Sequence, residues 1–143
     1  MKLSTINFYH GGVESDFTKE QIDVYRKSEK QQNRNNSYVG FYMYGEENFD
    51  DAVNYANQEN ERKNTTTKGV VKVTMPSNVR IFPIPDAFSI TRMTAEKINF
   101  LRQMNFDIAA GSVLGKVEYV LLNKDLVLDV EFIPITKKNK KSL

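Results

Sequence analysis

In Lys116-Val117-Glu118-Tyr119-Val120-Leu121-Leu122-Asn123-Lys124-Asp125-Leu126, one carboxylate opens an aliphatic run that ends in a polar turn. Branched and aromatic side chains of this kind suit a pleated, half-buried strand. Asn123-Lys124-Asp125 supplies turn chemistry, and residues 126–133 read as a second strand. Two adjacent strands near the end of the chain predict a sheet. Glu118 at the head of an otherwise apolar strand needs a reason, because burying an unpaired carboxylate is costly.

Outward from this pair, residues 106–110 read as a short strand, with a loop through Gly111 and Gly115. Thr94 is a reasonable N-cap for a helix over 94–104, in which Ile98, Leu101 and Met104 recur at three-residue spacing. Residues 69–75 alternate apolar and polar side chains, and 79–82 form a further short strand closed by Pro83 and Pro85. Asn48 is placed to cap a helix over 49–60, with Ala52, Tyr55 and Ala56 at helical spacing. The aromatic-rich segment 38–44 reads as a strand, as does 6–10, ending at Gly11-Gly12. The polar segment 18–32 is expected to be a helix starting near Asp16 or Thr18. The sum is an α+β fold of many short strands and about three helices.

With 143 residues the chain suffices for one core, so a single domain is expected over 1–136, followed by a basic, flexible tail at 137–143. The net charge of +2 is too mild to argue for nucleic acid by itself. No apolar run approaches the roughly 20 residues of a membrane helix, so no membrane insertion is expected. Without a secretory h-region, the expected location is the cytoplasm, or wherever a route needing no classical signal peptide delivers the chain. Cysteine is absent and His10 is the sole histidine, which leaves no thiolate chemistry and makes no metal site expected. Catalysis then falls to carboxylates, hydroxyls, basic side chains, one imidazole or a bound cofactor.

Three segments gather such groups: Phe8-Tyr9-His10-Gly11-Gly12, Gly40-Phe41-Tyr42-Met43-Tyr44, and the Glu118 strand. Between the last two lies Asp51-Ala52-Val53-Asn54-Tyr55-Ala56, and Asn105-Phe106-Asp107-Ile108 precedes the Glu118 strand. In this order they resemble the ADP-ribosyltransferase family, in its His-Tyr-Glu branch, the branch of the poly-ADP-ribose polymerases and diphtheria toxin. The resemblance implies a split β-sandwich of two small sheets with flanking helices. It implies NAD as substrate, Glu118 as the catalytic carboxylate, and His10, Gly11, Tyr42 and Tyr55 as NAD-binding residues. In such enzymes the histidine contacts the adenosine ribose, the next backbone pairs with the nicotinamide carboxamide, and two aromatic faces enclose the nicotinamide. Tyr44 shares a strand face with Tyr42 and is the weaker candidate.

Gly12 departs from the serine or threonine common after the His-Gly pair. Lys116 occupies the place where arginine-modifying clostridial-type toxins carry glutamate, and His10 the place where they carry arginine; both argue against that activity. Residues 105–117 would form the acceptor-recognition loop. Arg26, Lys27, Arg34 and Lys68 are phosphate candidates by location alone. The expected activity is mono-ADP-ribosyl transfer with release of nicotinamide, as in a toxin or effector. The acceptor stays open between protein, nucleic acid and small molecule, and an inhibitory partner protein is also allowed. The alternatives are an inactive binding module on the same fold and an enzyme similar to RNA 2′-phosphotransferases.

Overall fold

The structure is a computed structural model, and it describes residues 4–27, 36–63, 67–85 and 87–135. The basic tail and Arg34 lie outside them. Seven strands are β1 (Thr5–Glu14), β2 (Tyr42–Tyr44), β3 (Lys68–Pro76), β4 (Ile81–Pro83), β5 (Ile108–Val113), β6 (Lys116–Leu121) and β7 (Asp129–Pro134). The helices are α1 (Phe49–Lys63), the short α2 (Ala87–Ile90) and α3 (Ala95–Gln103). This is an α+β architecture. Among the described residues no helix is long and apolar enough to cross a membrane.

Hydrogen bonding joins all seven strands into one mixed sheet, in the order β4-β5-β6-β2-β1-β3-β7, where two small sheets were expected. The junction that makes it one sheet is narrow. β1 pairs with β3 along its whole length, from Thr5↔Pro76 to Glu14↔Lys68, whereas the register between β1 and β2 is the single pair Tyr9↔Tyr44.

β1 runs through its glycines instead of ending at them. Gly12 has φ +88 and sits at a register shift between Gly11 and Val13, so a bulge absorbs the irregularity and pairing resumes. Gly11 serves packing: a Cβ there would lie 2.3 Å from the Ala52 carbonyl oxygen. The small residues Ala52 and Ala56 let α1 press onto β1 and build a core with Tyr9, Val70 and Ile135. The larger core holds Phe8, Phe41, Met43, Val71, Val73, Ile98, Ile108 and Leu121.

Several boundaries differ from the sequence expectation. Of the helix over 18–32, the described part contains only a 3-10 turn, Lys19–Gln21, closed by a reciprocal Thr18–Gln21 cap and ended by extended backbone at Ile22. Ile22 and Val24 are both buried in the main core, and residues two apart do not share a helix face, so extended backbone serves them better. The strand at 38–44 shrinks to β2, because Tyr38 instead bridges to Thr94 and Gly40 takes φ +156. Asn48 does not cap α1 but ends a 3-10 turn, Glu46–Asn48, that leads into it. β5 continues past Gly111 to a two-residue turn at Leu114-Gly115, so the acceptor loop expected over 105–117 is largely strand. Thr94 does cap α3, its hydroxyl accepting from the Lys97 amide.

Candidate functional site

The carboxylate at the head of β6 is placed by cross-strand pairing. Glu118 lies opposite Tyr44 of β2 and Gly111 of β5, and Tyr44 lies opposite Tyr9 of β1. Directly opposed residues share a sheet face, so Tyr9, Tyr44 and Glu118 line up across the narrow junction. The first turns of α1 add Asp51 and Tyr55 to this cluster: both act electrostatically on Tyr44, whose hydroxyl is pushed up to about 12 by burial, then by Glu118, Asp51 and Tyr55. Glu118 itself is raised above the usual carboxylate range, by burial first and by Asp51 second. Among the described residues it has no hydrogen bond or ion pair.

Tyr42 connects this cluster to His10. Its hydroxyl donates to the Ile90 carbonyl at 2.7 Å, which anchors the ring under α2. Burial pushes that hydroxyl well above its ordinary range; the Met93 backbone opposes this and Glu118 adds to it. Gly40 makes room, since a Cβ there would lie 2.8 Å from the Tyr42 ring.

The Tyr42 carbonyl lies 2.6 Å from His10 Nδ1. A carbonyl can only accept, so the imidazole carries its proton on Nδ1 and donates it there. Nε2 is then an acceptor, and it is buried without a hydrogen-bond partner among the described residues. The ring stacks on Phe41 at 3.9 Å between centroids. Burial, followed by the Arg26 guanidinium, lowers the imidazole to about 3, so it is neutral at physiological pH. Alternation along β1 directs His10 to the face opposite Tyr9. His10 and Glu118 are thus linked through Tyr42, by its backbone on one side and its ring on the other.

Tyr55 packs over the bulge, 3.2 Å from where a Cβ on Gly12 would stand. The structure therefore brings Glu118, Tyr42 and Tyr55 around Tyr44, with His10 behind Tyr42 and Gly11 beneath α1. Sequence reasoning did not name Asp51, and it placed Tyr44 after Tyr42. Strand alternation already placed Tyr44 beside Tyr42, and only the register with Glu118 promotes it. Asp51 gave no local signal, because its neighbours come from β6.

Of the phosphate candidates, Lys68 Nζ donates to the Gly12 carbonyl at 2.8 Å, and Lys27 donates to the Asn36 carbonyl. Asp107 is structural: its carboxylate accepts from the Arg80 amide at 2.8 Å and from Asn123 Nδ2 at 3.1 Å. A cavity of about 260 Å³ opens on the other side of the Tyr9–Tyr44 pair, lined by residues including Asn7, Phe8, Glu46, Glu47 and Tyr119, and Glu118 does not border it. Among the described residues no group of three or more His, Asp or Glu is placed to hold a metal. No protein-family model matches the chain, and no curated protein matches it.

Proposed function

We propose that the protein is an NAD-dependent mono-ADP-ribosyltransferase. The observation that carries this reading is the uncommitted carboxylate of Glu118, half-buried beside Tyr42 and Tyr44 at the head of β6. A carboxylate kept there without a partner is costly unless positive charge appears nearby during function. Cleavage of the bond between nicotinamide and ribose supplies such charge. The C1′–N bond breaks, its electron pair leaves with nicotinamide, and oxocarbenium character grows on the ribose. Glu118 accepts a hydrogen bond from the ribose 2′-hydroxyl and stabilises that charge. The acceptor's lone pair then forms the new bond to C1′, and its proton passes to solvent.

The rings of Tyr42 and Tyr55 provide aromatic faces for the nicotinamide, whose pyridinium charge favours a π-face. His10 faces the other side of the sheet and is buried, so in this reading it serves the site through Tyr42, whose carbonyl its Nδ1 holds. Gly11 would contribute its backbone to the carboxamide.

The test is incubation with NAD labelled in the adenosine half, presented with separate pools of protein, RNA and DNA. Nicotinamide release and transfer of label to one pool are expected. Neither binding nor release at millimolar NAD would remove the reading.

A further inference from the structure

Glu118 shares its strand face with a lysine. Lys116 and Glu118 are two residues apart on β6, so their side chains leave the same side of the sheet, with Cα atoms about 6.6 Å apart. An ammonium on a flexible four-carbon stem spans that distance. A Lys116–Glu118 pair would be the default for two such neighbours, yet it does not form. Lys116 Nζ instead donates to Asp51 Oδ1 at 2.6 Å, reaching across to the first turn of α1. The partners are unequal in setting: the lysine side chain is 52% exposed and the Asp51 side chain 21%. Asp51 is thus the more fixed anchor, held by the helix that packs on β1, and Lys116 is the arm that could swing.

We propose that Asp51 is a positioning residue that holds the Lys116 ammonium away from Glu118, so that the catalytic carboxylate stays uncommitted. This rests on the role given to Glu118 above. A carboxylate already paired with a lysine presents little net negative charge to a developing oxocarbenium ion. Tyr44 and Tyr42 of β2, and Asp51 and Tyr55 of α1, are the other titratable groups around Glu118, and none of them is a cation. Lys116 is accordingly the one described cation on this face of β6 that can neutralise it.

The test is a rescue experiment. Asp51→Asn keeps the size of the side chain, and the released lysine is expected to pair with Glu118, lowering nicotinamide release about three- to tenfold. Lys116→Met in the same chain removes the competing cation and is expected to restore most of the rate; Lys116→Met alone is expected to behave like the parent. A double variant as slow as Asp51→Asn would overturn the proposal, because Asp51 would then act in some way other than through Lys116. Unchanged turnover in Asp51→Asn would also overturn it.

A second readout does not depend on catalysis. Carbon-13 titration of the Glu118 carboxyl is expected to give its highest midpoint in the parent, its lowest in Asp51→Asn, and an intermediate one in the double variant. If the parent releases no nicotinamide, the proposed activity fails while this ordering still judges the Asp51–Lys116 relation. An identical Glu118 midpoint in all three chains sinks it.

Discussion

His10 is the residue whose state is most fully determined. With an unfolded value near 6.5 and a folded value of about 3, the native state refuses a proton that the unfolded chain accepts. Unfolding therefore takes up a proton between these limits, and stability falls as pH drops through that window. The contribution is on the order of a few kcal/mol, a sizeable share of a typical domain's stability. Acid unfolding is expected to begin below about pH 6 and to be shallower in His10→Gln, as followed by circular dichroism against pH. Because the chain has a single histidine, its ring protons are unambiguous in a spectrum, and they are expected not to titrate between pH 7 and 5. Glu118 has the opposite sign. Its folded value is raised, so the charged form destabilises the empty site, and the loss appears as pH rises past 4.5. Glu118→Gln is expected to melt higher than the parent at pH 7 and alike near pH 4. Its turnover is expected to fall about 100- to 1000-fold while NAD affinity changes little. Calorimetry and nicotinamide release on one preparation check this; equal losses in both would recast Glu118 as a binding residue.

Individual elements were legible where a local pattern was strong. β3, β6 and β7 follow alternation or an apolar run, and α3 follows its Thr94 cap. Helix α1 was found from Ala52, Tyr55 and Ala56, of which the two alanines bury in one core with Tyr9 of β1. The 3-10 turn at Lys19–Gln21 was misread because polar composition and an N-cap are compatible with a helix, and it is the tertiary burial of both Ile22 and Val24, two apart, that ends it so early. The closeness of α1 to β1 was not legible: it depends on Gly11 facing a helix carbonyl from forty residues away in sequence. Gly11→Ala is expected to destabilise by about 1–3 kcal/mol, since backbone must move to relieve the overlap. The β5–β6 turn offers the reverse. Leu114 has φ 53 and is 96% exposed, and Gly115 has φ 81, the pattern of a type I′ turn. Leucine is disfavoured there, and Leu114→Asn is expected to stabilise by about 0.5–1 kcal/mol, read as a shift in the denaturant midpoint without a change in slope.

At the scale of the whole molecule, the sequence offered candidate site residues, Asp51 apart, but not their assembly. Glu118, Tyr42 and Tyr55 were chosen as separate points, and it is register that places Tyr44 between Glu118 and Tyr9. The number of sheets could not be foreseen either, because one residue pair separates a single sheet from two. A ligand lying along Gly11, Tyr42 and Glu118 would touch both sides of this junction. NAD at 100 times its dissociation constant is therefore expected to add about 2.7 kcal/mol of stability. It is also expected to slow amide exchange in β2 and β6 as well as in β1. Protection confined to β1 would mean that the two sides do not act together.

The strand order has a consequence for the protein while it is being made. β1 precedes the other six described strands in the chain, yet it occupies an interior place in the sheet, and its longest-paired neighbour, β3, ends at Pro76. At about 5–20 residues per second, the apolar face of β1 waits roughly 3–12 seconds for that partner to be translated. β7, the far edge beyond β3, comes after the other six described strands. β1, β2 and β3, the middle of the sheet, precede both edge strands in the chain, and a nascent chain stalled before β3 would leave Phe8 and Val13 without their β3 neighbours.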